Sequence, residues 1–212
     1  MPLLLSQCLR DQSPLPPQAY SVVDPPSGHS LFGRPHFVEC CERAANAGRL
    51  SHGELCQLHQ WNLWLTERGE AWPRLSLGLS ERCRLAFCIG KGVPSKMQRQ
   101  VHSALAALGL EPLEEVRTEQ GYSLDAVVEL DGRDVAVEFD GPSHFVGQTE
   151  APTGSTMLKR RQLHAAGWPL LVVPYWEWNE LDNGGDKARV DEYLMGGLRE
   201  AIAMADKSRL EQ

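Results

Sequence analysis

The stretch Ser123-Leu-Asp-Ala-Val-Val-Glu-Leu-Asp-Gly-Arg-Asp-Val-Ala-Val-Glu-Phe-Asp-Gly-Pro-Ser-His144 constrains the fold more than any other part of the chain. Apolar and polar residues alternate on both sides of Asp131-Gly132, a dipeptide that tolerates the positive φ angles of a two-residue hairpin turn. Two adjacent strands are therefore predicted, over 122–130 and 134–140. They bring Asp125, Glu138 and Asp140 to neighbouring strand ends. Three carboxylates at one place repel one another unless a hard cation or a basic side chain stands among them.

Bulk properties narrow the setting. A length of 212 residues holds one sizeable domain, or a small domain with an extension. No apolar run approaches the roughly 18–20 residues of a membrane span. The first residues, Met1 to Leu9, are apolar but short, with no positive charge ahead of them. Arg10 stands alone before Asp11 and Asp24, so neither a secretory signal nor a transit peptide is expected here. The six cysteines, Cys8, Cys40, Cys41, Cys56, Cys83 and Cys88, show no C-x-x-C spacing, which argues against a zinc knuckle. The adjacent Cys40-Cys41 argues against a disulfide scaffold, and reduced, half-buried thiols are expected.

Charge is unevenly spread. The net value is −7; residues 1–94 hold 9 Lys/Arg against 8 Asp/Glu, and residues 95–212 hold 12 against 20, a local excess of −8. Surfaces that neutralise phosphate carry the opposite sign. Any contact with nucleic acid is thus expected to be local or shared with a partner.

Along the chain, Pro, Ser and Gly crowd residues 1–35, as in an extended or disordered arm. Residues 36–94 read as a small all-α segment. It has a helix over 36–47 stopped by Gly48, a second helix opened by the Ser51/Glu54 capping box and running to 67, and a third over 80–89. Leu55, Leu58, Trp61 and Leu65 form one stripe, and Trp61, Trp64 and Trp72 read as core or interface. Gly90 to Pro94 is a hinge. The remaining unit, 95–212, opens with a helix capped by Ser95 and Gln98, buries Val101, Ala104, Leu105 and Leu108, and stops at Gly109. Strands follow over 113–118, 122–130 and 134–140, then a loop to Pro152, a helix opened by Thr153 and ended by Gly167, and a strand over 170–173. That last strand is apolar throughout, which predicts a central position. Tyr175 to Trp178 is expected to leave the sheet, with Trp176 and Trp178 on one side if the run is extended. A final helix spans 186–205, burying Val190, Leu194, Leu198 and Ile202. The order α-β-β-β-α-β-α predicts a three-layer α/β sheet.

Several short strings in this half resemble a RAP domain, with core motif 122–178. They are Gly121-Tyr-Ser-Leu-Asp125, Val135-Ala-Val-Glu-Phe-Asp-Gly-Pro-Ser-His-Phe145, Pro152-Thr-Gly-Ser-Thr156, Leu158-Lys-Arg-Arg161, Gly167-Trp168 and Val173-Pro-Tyr-Trp-Glu-Trp178. RAP domains close mitochondrial and chloroplast RNA-metabolism proteins, including the FAST-kinase-like family. They are in turn similar to very-short-patch repair endonucleases and the PD-(D/E)xK superfamily, so the resemblance implies a restriction-endonuclease-like sheet. It also implies a mitochondrial or chloroplast location and RNA as the partner, with ribosomal or RNA-processing proteins beside it. The expected role is RNA processing, stability or ribosome assembly. The alternatives are a metal-dependent endoribonuclease and a structural subunit of an organellar ribosome.

A PD-(D/E)xK nuclease places two acids around Mg²⁺ and a lysine two residues after the second. Asp125 and Glu138 fit the acidic positions, but Asp140 stands where the lysine belongs. If the chain is catalytic, the candidate set is Asp125, Glu138 and Asp140 on Mg²⁺, with Lys159 as a migrated cation and His144 as acid or base. Otherwise no cofactor is expected, and Glu138 and Asp140 form ion pairs with Lys159 and Arg161. The candidate RNA contacts are Ser143 and His144 in the loop, and Thr153, Ser155 and Thr156 at a helix start, where ordinary capping is the plainer reading. Lys159, Arg160 and Arg161 join them as the only basic run in this half, or form a solvated helix face. Tyr175, Trp176 and Trp178 complete the set as stacking groups, or pack in the core.

Overall fold

The computed structural model describes residues 35–69, 73–89 and 95–210. The expected arm over 1–35, except Pro35, which opens the first described helix, lies outside those residues, as do Trp72 and the hinge at 90–94. The chain divides into two compact units, Met1–Gly90 and Lys91–Gln212.

The first unit is all-α among its described residues: α1 (Pro35–Asn46), α2 (His52–Arg68) and α3 (Leu77–Phe87). Gly48, at φ 64°, follows α1 in the left-handed backbone that glycine adopts without a Cβ clash. Ser51 and Glu54 form the capping box that opens α2. Leu58, Trp61, Trp64 and Leu65 are its fully buried face, and Phe37 of α1 meets Trp61 edge to face at 5.0 Å. Burial of a leucine-sized side chain is worth roughly 1.5–3 kcal/mol, and this face packs with Phe37, Cys41, Leu75, Leu79 and Cys83 in the unit's core. The third helix begins at Leu77, earlier than the predicted 80, because the Ser76 hydroxyl accepts the Leu79 amide. The described cysteines are all free thiols, and burial pushes Cys83 up to about 11.

The second unit is a mixed α/β sheet with helices on both faces, as the sequence predicts. Its elements are α4 (Lys96–Ala107), β1 (Leu113–Arg117), β2 (Ser123–Leu130), β3 (Arg133–Asp140), a 3-10 turn (Pro142–His144), α5 (Gly154–Ala165), β4 (Leu170–Pro174), α6 (Tyr175–Gly184) and α7 (Lys187–Leu210). The strand order is β1-β2-β3-β4, with β1–β2 and β2–β3 antiparallel and β3–β4 parallel. Asp131 and Gly132 both have positive φ, 53° and 72°, as the hairpin requires.

Register sorts the side chains onto two faces. Ala126 opposes Val137 and Val128 opposes Val135, and these residues join Leu171 and Val173 in the core beneath α4, α6 and α7. The alternate positions, Ala136, Glu138 and Asp140, face α5. The sequence reads β3 as apolar on one side and polar on the other, yet every residue from Val135 to Asp140 is buried. The crossover helix of a parallel strand pair covers the second face.

Two predictions need correction. The apolar strand β4 is at the edge of the sheet among the described residues, not its centre. It is apolar because α5 lies on one of its faces and α6 and α7 on the other. The run after Pro174 is helix α6, not an extended segment, so Trp176 and Trp178 do not share a side by strand alternation. Pro174 is its N-cap residue, and Gly185, at φ 60°, closes it. The final helix also runs further than predicted, to Leu210. Among the described residues no helix is long and apolar enough to cross a membrane.

Candidate functional site

The acids of the hairpin do gather at one end of the sheet, on the face that carries α5. Each is engaged differently. Asp125, half-buried on β2, accepts the Phe139 amide at 2.9 Å through one oxygen and the Gln98 side chain at 3.0 Å through the other. The ladder pairs Ala126 with Val137 and ends there, so the Asp125 carboxylate satisfies the next β3 donor.

Glu138 is 3% exposed. One of its oxygens is ion-paired with Lys159 of α5, and the other accepts no hydrogen bond. Burial pushes its carboxyl up to about 7, and the charges of Asp125 and Asp140 add to the rise while Lys159 opposes it. Asp140 is equally deep, at 2%. Burial alone would raise it as well. Instead His144, 3.0 Å away, and Arg160 hold it below the usual carboxylate range. The Asp140 hydrogen bond in turn raises His144, overcoming the desolvation that opposes its charge.

This geometry corrects one expected pair. Arg160, not Arg161, meets Asp140, because consecutive helical residues point about 100° apart and Lys159 and Arg160 straddle the helix line that faces the sheet. Lys159 and Arg160 are thus not a solvated helix face. Their charges neutralise buried carboxylates.

The arrangement does not fit the expected Mg²⁺ site. Both oxygens of Asp125 and of Asp140 are taken by protein donors, and Lys159 occupies one oxygen of Glu138. Among the described residues no group of three His, Cys, Asp or Glu side chains is placed to hold a metal ion. A cleft of about 230 Å³ opens beside Asp125, lined also by Gln98, His102, Glu115, Phe139 and Lys159. Glu115 there has a φ of 51°, a left-handed backbone that strains a residue with a Cβ.

The remaining candidates separate by depth. Ser143 and Ser155 are exposed, and Thr153 is half-buried as the N-cap of α5, its hydroxyl accepting the Thr156 amide. Thr156 is buried, and its hydroxyl donates to the His144 carbonyl at 3.2 Å, so it is not a surface contact. Trp178 is 3% exposed within the core, which removes it from the surface set. Tyr175 and Trp176 are half-buried at the start of α6. They form a ring cluster with Phe145: Phe145–Trp176 at 4.4 Å and Tyr175–Trp176 at 5.2 Å, both edge to face.

Sequence reading missed Gln98 as a partner of Asp125, because the contact depends on where α4 docks. It also missed the buried bond from the Tyr122 hydroxyl to Gln162, 2.7 Å, which ties the residue just before β2 to α5. A signal for α6 was present in the i, i+3 spacing of Tyr175, Trp178 and Leu181, with Gly184-Gly185 as its stop.

Residues 137–195 match the family model of the RAP domain. Over 102 residues the chain is 41% identical to a protein described as "RAP domain-containing protein, chloroplastic" from Oryza sativa subsp. japonica. The aligned stretch is 48% of this chain and 16% of that protein, so the chain spans only a small part of its relative's length. The RAP-domain resemblance read from the sequence is borne out.

Proposed function

We propose that this chain is an RNA-binding protein of organellar RNA metabolism. It acts through its RAP-like unit in RNA processing, stability or ribosome assembly, and binds without cleaving. The RAP-domain match supports RNA as the partner. The chloroplast is the favoured organelle, because the Oryza sativa relative is named as chloroplastic.

The observation that carries binding over cleavage is the neutralised state of the acids. Glu138 and Asp140 are buried and matched by Lys159, Arg160 and His144 of the same chain. The proposed RNA contacts are Ser143, His144, Thr153, Ser155 and Arg161, with Tyr175 and Trp176. Lys159 and Arg160 join them only by exchanging a carboxylate for a phosphate.

The test is incubation of the purified chain with end-labelled RNA, in Mg²⁺ or Mn²⁺ and in chelator. Retention of intact RNA under both conditions is expected. Metal-dependent cleavage that Asp125→Ala and Glu138→Ala abolish would overturn the reading in favour of an endoribonuclease. Co-sedimentation with ribosomal particles in the absence of RNA binding would point instead to a structural subunit.

A further inference from the structure

We propose that the RAP-like unit selects single-stranded RNA, holding it chiefly by stacking an unpaired base on the Tyr175–Trp176 surface rather than by neutralising phosphates. The proposal rests on the RNA-binding reading above and names its substrate class.

Place is the first support. Asp140 and Pro174 are register partners at the C-terminal ends of the parallel strands β3 and β4. Tyr175 and Trp176 follow Pro174 directly, and the 3-10 turn with Ser143 and His144 follows Asp140 and runs into Phe145. Thr153 donates its amide to the His144 carbonyl at 2.8 Å, which ties the start of α5 to the same end. The crevice beyond the carboxyl ends of parallel strands is where open α/β sheets place their ligands.

Ring geometry is the second. Phe145 is buried behind the pair, 4.4 Å from Trp176 and 6.1 Å from Tyr175. It packs against both rings, which remain partly exposed. Rings held from behind lose little freedom when a base arrives, and every base has a face to offer. A base inside a duplex already has both faces covered, so only unpaired nucleotides can use such a surface.

Charge is the third. Residues 95–212 carry 12 basic against 20 acidic residues. Two of the basic ones, Lys159 and Arg160, are held by Glu138 and Asp140. A surface of this sign gains little from releasing counterions around phosphate. Stacking is the contribution to RNA affinity that the surface can still make. Pro174 gives α6 no side-chain cap, so first-turn N–H groups remain as donors for an acceptor atom of the nucleotide.

The experiment is a fluorescence-anisotropy titration of the full chain with a labelled single-stranded 12-mer RNA and with the same strand in a duplex, over a range of KCl. Binding of the single strand, weaker binding of the duplex and a log–log salt slope shallower than about −2 are expected. Trp176→Leu and Tyr175→Leu should each weaken the single-strand complex by about tenfold, and Trp176→Phe should largely restore it. Thermal melts check folding, and Tyr175→Leu carries the test if Trp176→Leu unfolds. Equal affinity for duplex and single strand, a steep salt slope, or leucine variants that bind like the parent would overturn the stacking proposal alone. A parent chain that binds neither RNA would overturn both the proposal and the function it rests on.

Discussion

The Lys159 ammonium of α5 reaches across the sheet face to the Glu138 carboxylate of β3, and the acid is much the deeper partner, with 4% of its side chain exposed against 24% for the lysine. The pair therefore joins a buried carboxyl, which burial pushes up to about 7, to a cation at the edge of the solvent-facing cleft. Removing the lysine strands a carboxylate that cannot reach water.

Lys159→Met should destabilise the chain by about 3 kcal/mol in urea unfolding at pH about 8, where Glu138 is ionised in the parent. Combining it with Glu138→Leu should recover most of that loss, since two apolar groups replace a buried pair at little cost. A double variant no more stable than Lys159→Met would show that the pair does not account for the loss.

Stability should also respond to pH through Glu138. Its carboxyl is pushed from 4.5 to about 7 by burial, so in that window the folded chain keeps a proton that the unfolded chain has released. Stability then falls as pH rises through the window. His144 acts in the same direction: its imidazolium contribution is complete below 6.5 and lost as pH rises through its raised folded value. Asp140 acts oppositely, its contribution lost only as pH falls through a value lowered from 3.8. Unfolding free energies of the parent relative to Glu138→Gln should therefore drop by about 3 kcal/mol between pH 4.5 and 8. A difference that does not vary with pH would mean that Glu138 is ionised throughout.

Asp125→Ala should cost about 1–3 kcal/mol, because the Phe139 amide, paired at 2.9 Å with the carboxylate, is left without its acceptor at a buried residue. It should also lower the Glu138 titration midpoint, since the Asp125 charge is one of the groups that raise it. Carboxyl NMR or the unfolding profile reads that shift, and an unmoved midpoint would separate the two acids electrostatically.

Neighbouring glycines on α7 should behave differently. A Cβ on Gly196 meets nothing within 4 Å, so Gly196→Ala should stabilise by about 0.5–1 kcal/mol through helix propensity. A Cβ on Gly197 falls 2.6 Å from Leu171 Cδ1, in the core under β4. Overpacking there costs about 1–3 kcal/mol, so Gly197→Ala should leave Tm unchanged or lower. A rise in Tm equal to that of Gly196→Ala would show that Leu171 moves aside freely.

Local chemistry made much of this legible in advance. The Asp131-Gly132 turn, the Ser51/Glu54 and Ser95/Gln98 capping boxes and the buried faces of α4 and α7 each depend on residues a few positions apart. Helix α6 escaped the reading because Pro174 and the aromatic run suit an extended chain as well as a helix start. The edge position of β4 escaped it because a strand covered on both faces is apolar wherever it lies in the order.

By itself the sequence determined which segments form strands and helices, the hairpin that brings three acids near one another, and the resemblance to a RAP domain. Only the tertiary structure decided what those acids meet. The parallel crossover lays α5 over the polar side of β3, which turns an apparently solvated alternation into a buried one. Burial of Glu138 and Asp140 then demands charge compensation, and the helix supplies Lys159 and Arg160 from positions some twenty residues away in the chain. Such pairings depend on long-range docking, and no local spacing encodes them.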